Sequence, residues 1–142
     1  MKYNEIEFIL KKVLDKEICK LDKPTDKEWE ELSHKFNYSF SNEFRYFIEL
    51  MSVWSFPGDI YNVSKGYNNG NDTIEHVYDV EMKNGNWNAD MIPFYGIGNG
   101  DYFCINALDS KVYYYFCDKD EFQEYCTNFI IWIEDLPKFL EW

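Results

Sequence analysis

Few residues in this 142-residue chain are placed to do chemistry, and spacing limits what each could do. Gly96-Ile97-Gly98-Asn99-Gly100 has the glycine density of a phosphate-binding loop. Such a loop leads from a strand into a helix whose N-terminus receives the phosphate. Here the run leads into Asp101-Tyr102-Phe103-Cys104-Ile105, a strand sequence with no following Lys-Ser/Thr, so turn geometry is the expected role. The two histidines, His34 and His76, lack H-E-x-x-H or H-x-x-x-H spacing, and no metal site is expected. A nucleophilic cysteine paired with His76 would have to be Cys104 or Cys117. Nothing local supports that pair, and a strand cysteine reads as a small apolar core residue. Carboxylates beside aromatics, as in glycosidase clefts, are available from Asp101, Asp118, Asp120 and Glu121. With 26 acids in the chain such proximity arises by chance, and a sugar cleft usually needs a larger framework. No enzyme, catalytic residue or cofactor is therefore expected, and a binding role is.

The acids themselves are the stronger signal. The chain carries 14 Lys and Arg against 26 Asp and Glu, a net charge of −12. Residues 1–35 hold eight lysines against nine acids, whereas residues 36–142 hold six basic residues against 17 acids. A field of that sign repels phosphate backbones, which argues against direct nucleic-acid binding, and attracts a basic protein surface. The candidate partner-binding residues are Glu75, Asp79 and Glu81, Asp101, and the cluster Asp118, Asp120 and Glu121. Strand periodicity would put the first three on one face of a strand at 74–82. The plain alternative is a solvated acidic face that aids solubility, with Asp118 or Asp120 capping the segment that follows. Aromatics, at 20% of the chain, suit both a core and a binding surface.

Several elements must position these residues. Ile6, Ile9, Leu10, Val13 and Leu14 recur at helical spacing within 3–21. After Lys23-Pro24, Thr25-Asp26-Lys27-Glu28 reads as a capping box for a helix over 26–35 that buries Trp29 and Leu32. Ser41 or Ser39 can cap a third helix near 42–52, with Phe44, Phe47, Ile48 and Met51 as its apolar stripe. Pro57-Gly58 and the turn-rich Gly66–Asp72 follow. Strands are expected at 74–82, 91–97, 101–107 and 111–117, separated by Asn84-Gly85, Asn99-Gly100 and Asp109-Ser110. Thr127 to Asp135 return to helical character with Thr127 as cap, and Pro137 ends that helix.

The fold class expected is α+β: N-terminal helices and a C-terminal helix packed on one face of a curved, mainly antiparallel sheet, within a single domain spanning 1–142. The N-terminal run MKYNEIEFILKKVL interleaves charges with apolar residues and lacks the continuous apolar region of a signal peptide. No stretch approaches the ~20 apolar residues of a membrane span. Cys19, Cys104, Cys117 and Cys126 show no C-x-x-C spacing, so free thiols and a cytoplasmic location are expected.

The run Ile92-Pro93-Phe94-Tyr95-Gly96-Ile97-Gly98-Asn99-Gly100-Asp101-Tyr102-Phe103 resembles the "I-P-F" strand and "G-x-G-D" turn of the SUKH superfamily (the Smi–Knr group). Val112-Tyr113-Tyr114-Tyr115 is similar to the family's next strand, and Thr127-Asn128-Phe129-Ile130-Ile131-Trp132-Ile133 to its closing helix. Phe40-Ser41-Asn42-Glu43-Phe44 stands where the family begins a helix with Leu-Pro, and Val53–Gly58 replaces its usual Asn-Gly-Gly. The resemblance covers about 26–140 and implies a SUKH-like fold. For a bacterial member it implies an immunity protein that binds a cognate secreted toxin domain, often a nuclease, and blocks it without chemistry of its own. A regulatory scaffold, as among the eukaryotic members, is the alternative it leaves; a small glycan-acting enzyme, ranked below both, would rest on the carboxylates Asp101, Asp118, Asp120 and Glu121 and not on the resemblance.

Overall fold

The computed structural model describes residues 5–9, 15–16, 24–50, 54–55, 59–63 and 73–136. Its helices are α1 (residues 5–9), α2 (Asp26–Phe36), α3 (Asn42–Leu50), α4 (Ile74–Lys83) and α5 (Phe129–Glu134). Its strands are β1 (Asp15–Lys16), β2 (Trp54–Ser55), β3 (Asp59–Ile60), β4 (Met91–Gly96), β5 (Tyr102–Asn106), β6 (Val112–Phe116) and β7 (Glu121–Cys126). The α+β class expected from the sequence is the one observed.

Where a helix start is written locally, the chain follows it. The Thr25 hydroxyl accepts from the Glu28 amide (3.2 Å) and the Glu28 carboxylate accepts from the Thr25 amide (2.9 Å), closing the capping box of α2. Ser41, not Ser39, caps α3 by accepting from the Phe44 amide at 3.1 Å. The cap of α5 is Asn128 rather than Thr127: its side-chain oxygen accepts from the Ile131 amide at 2.9 Å, as N-cap geometry requires. The helix expected over 3–21 is shorter, because the chain is already extended at Asp15 and Lys16, which pair antiparallel with Ser55 and Trp54. Residues 10–14 and 17–21, Pro57-Gly58, Gly66–Asp72, Pro137 and Cys19 lie outside the described residues.

The main sheet runs β3-β4-β5-β6-β7, antiparallel throughout. One face carries Ile92, Phe94, Phe103, Ile105 and Val112 into the principal core, where Trp29 and Leu32 of α2, Phe44, Phe47 and Ile48 of α3, and Phe129, Trp132 and Ile133 of α5 meet them. Rings dominate the packing: Trp132 lies 5.0 Å from Phe94 and 5.6 Å from Phe47, in edge-on geometry that favours both partners.

Two expectations about the sheet are corrected. Residues 74–83 are helix α4, not a strand. Their near-alternation of apolar and acidic residues also fits a helix, on which Ile74, Tyr78 and Glu81 share one face. Thr73 caps that helix through the His76 amide (3.1 Å), and Gly85 follows its C-cap with φ +104°. The strand that completes the meander is β7, whose burial is confined almost wholly to its last residue, Cys126, so that its apolar signal is weak. Packing is also not limited to one face. Cys104, Tyr115 and Met91 form a second buried cluster with Trp87, against which Tyr78, Tyr102, Tyr113 and Phe122 pack.

The glycine run is a β4–β5 hairpin turn, as its lead into a strand indicated, closed by Ile97 N–H donating to the Asp101 carbonyl at 3.2 Å. Gly98 and Gly100 have φ of +106° and +96°, and a β-carbon at Gly100 would also lie 2.8 Å from the Cys117 sulfur. Gly100→Ala is therefore expected to cost about 1–3 kcal/mol. Gly98→Ala, with open space around it, should cost less. Midpoints of urea unfolding for the two variants check this order.

Candidate functional site

The seven acids singled out from the sequence fall into four situations. Asp101 is committed to the fold. One carboxylate oxygen accepts from the Cys117 amide (2.8 Å) and the other from the Tyr114 hydroxyl (2.7 Å), tying the β4–β5 turn to the end of β6. Its own amide donates to the Asn99 side chain at 3.0 Å, an Asx turn.

Glu75, Asp118 and Glu121 are exposed and form no ion pair with any described residue. Asp79 stands one helical turn from Glu75 on α4 and pairs with Lys35 of α2 at 2.6 Å. Because the segment is helical, Glu81 does not join Glu75 and Asp79 on a common face; it turns towards the sheet.

Glu81 and Asp120 are brought together. They line one open cleft of about 230 Å³ with Asn84, Asn86, Trp87, Tyr115 and Cys117. Four segments build it: the last turn of α4, the loop into β4, the end of β6 and the β6–β7 turn. Tyr102 and Tyr115 are cross-strand neighbours on β5 and β6, with rings stacked at 6.0 Å. Their hydroxyls point to the two acids: Tyr102 donates to Glu81 at 2.6 Å and Tyr115 to Asp120 at 2.7 Å. Trp87 closes the cleft floor, 4.9 Å from Tyr115 and 5.0 Å from Phe122, and its indole N–H donates to the Met91 carbonyl at 2.9 Å.

The electrostatics follow from burial and from these bonds. Both phenols are pushed above the ordinary tyrosine range, first by burial and then by the hydrogen bond to the neighbouring carboxylate, and so remain proton donors. Cys104 lies fully buried beneath, and burial followed by the charge of Glu81 pushes its thiol well above the usual range. That is the opposite of an activated nucleophile. Burial likewise pushes Cys126 up to about 11. Cys104, Cys117 and Cys126 are free thiols. Among the described residues, no three His, Cys, Asp or Glu side chains gather as a metal ion would need, and no helix is long and apolar enough to cross a membrane.

Sequence reasoning missed Asn86, Trp87 and Tyr115 as cleft residues. The only local sign was Asn84-Gly85, read as a hairpin turn, whereas it ends α4 and launches the loop that carries Trp87 to the sheet.

The profile of the SUKH_5 family, described as SMI1-KNR4 cell-wall, matches residues 5–140. A crystal structure of a protein from Pseudomonas syringae pv. tomato is similar over 98% of this chain and 99% of that one, with a TM-score of 0.66 at 18% identity, a likeness of fold. No curated protein matches the chain.

Proposed function

The chain belongs to the SMI1-KNR4 cell-wall family, SUKH_5, and on that premise we propose that it is an immunity protein, binding a cognate secreted toxin domain and silencing it without catalysis. The family match over residues 5–140 is the observation that carries this reading. The charge supports it and narrows it. The excess of acids in 36–142, 17 against six basic residues, complements a basic groove of the kind that nucleases use for their substrate. Complementary fields speed encounter, towards about 10⁸–10⁹ M⁻¹s⁻¹ at low salt, which suits a protein that must reach a toxin before the toxin reaches its target.

The capture surface is read as the exposed acids Glu75, Asp118 and Glu121 together with Asp79 and the outer oxygens of Glu81 and Asp120. Asp101 is assigned to holding the turn. The test is association of the purified chain with the toxin domain encoded beside it, followed as salt is raised. The association rate is expected to fall with ionic strength, and charge reversal at Glu75, Asp118 and Glu121 to slow it about tenfold without altering the melting temperature. Absence of binding at about 1 μM would remove the reading. The family description's mention of the cell wall favours a regulatory scaffold as the second reading. Recovery of several host proteins, with no toxin gene adjacent, would support that scaffold instead.

A further inference from the structure

The cleft between α4 and the β6–β7 turn has an unusual balance of hydrogen-bonding groups. The hydroxyls that hold its two acids and the indole of its wall are already engaged: Tyr102 and Tyr115 on Glu81 and Asp120, and Trp87 on the Met91 carbonyl. Its acceptors are not. Each of the two carboxylates has a second oxygen with no partner among the described residues, and neither acid forms an ion pair there. The side-chain amides of Asn84 and Asn86 line the same space. Trp87 and Tyr115 are only 8% and 7% exposed, so they offer walls rather than an open platform for a sugar ring. At about 230 Å³ the cleft is smaller than the ~300–1,000 Å³ that takes a whole small molecule, and of a size for one long side chain.

We propose that this cleft is the socket for an arginine side chain presented by the protein that the chain captures; this rests on the binding role proposed above. A guanidinium carries five N–H donors in a planar fork and no acceptor, the complement of the two free carboxylate oxygens and of the Asn84 and Asn86 amide oxygens that line the cleft. Its fork reaches two carboxylates at once, which a lysine ammonium does less well. The tyrosines hold both carboxylates in place before the partner arrives, so little side-chain freedom is lost on docking.

The test uses the full isotope-labelled chain and N-acetyl-arginine amide as probe, observing the Trp87 indole N–H and the Asn84 and Asn86 side-chain amides by NMR. A saturable shift confined to these groups is expected. It should weaken about tenfold in Glu81→Gln/Asp120→Asn, since each removes a charge-assisted bond. It should persist in Asp118→Asn/Glu121→Gln, which loses the same charge outside the cleft. If the first variant unfolds, Asn86→Leu, which fills the cleft rim without touching the tyrosine bonds, should abolish the shift. No shift, an equal response to N-acetyl-lysine amide, or equal loss in both double variants overturns the proposal. The probe contains no toxin, so the two readings fail separately. Arginine binding without toxin capture would remove the immunity role, and toxin capture unaffected by Glu81→Gln/Asp120→Asn would remove the socket.

Discussion

Trp132→Ala is expected to be the most damaging single substitution, with a loss of about 3–5 kcal/mol of folding stability. Trp132 is fully buried and lies within 5.0–5.6 Å of Phe94, Phe129, Phe103 and Phe47, so that α5, α3 and two strands share it as a packing partner. Removing the indole leaves a cavity walled by rigid rings, which collapse poorly into the space. Trp132→Phe keeps most of that volume and should cost less. Urea unfolding of the two variants checks the difference; a loss below about 1 kcal/mol for Trp132→Ala would contradict this account of the core. The Glu81–Asp120 cleft belongs to the other, second cluster, so any surviving folded Trp132→Ala chain should still give the arginine response.

Asp101→Ala is expected to cost about 2–4 kcal/mol, although Asp101 is only half-buried and sits in a turn. Its carboxylate is the common acceptor for the Cys117 amide and the Tyr114 hydroxyl, and both donors would lose their charged partner. Asp101→Asn retains one acceptor and turns an amide N–H₂ towards one of the two donors, so it should fall between wild type and Asp101→Ala. Hydrogen exchange at the Cys117 amide is the direct measurement. It should accelerate in Asp101→Ala, and unchanged protection would show that the turn is held otherwise. The effect on partner binding should be no larger than the unfolded fraction accounts for, which separates a residue that holds the turn from one that meets a partner.

Local signals were legible where the physics is local. The capping box at Thr25 and Glu28, the Ser41 cap and the β4–β5 and β5–β6 hairpins each need only neighbouring residues, and each formed where expected. Residues 74–82 were misread because β-branched and acidic residues recur there with both periods. The terminators Thr73 and Gly85, which bracket a helix, were the better guide. β7 could not be read from alternation. It is an edge strand with Glu121, Gln123, Glu124 and Tyr125 exposed, as edge strands that avoid further pairing tend to be. Its place in the sheet comes from pairing with β6, a contact that no single segment encodes.

The acidity after residue 35, the lack of a metal-ligating or nucleophilic spacing, and the strand-turn-strand run around Gly96–Asp101 are properties of the amino-acid order; the run carried the resemblance to this family, and the other two underlie the binding role proposed for it. Which acids can meet a partner was decided by tertiary structure alone. The same carboxylate chemistry became a turn clasp at Asp101, an ion pair at Asp79, free surface at Glu75, Asp118 and Glu121, and a joint cleft at Glu81 and Asp120. The reason is that a carboxylate's role is set by the donors that folding brings to it: Glu81 on α4 takes the Tyr102 hydroxyl from β5, and the pairing of β5 with β6 sets Tyr115, which holds Asp120 of the next turn, beside Tyr102.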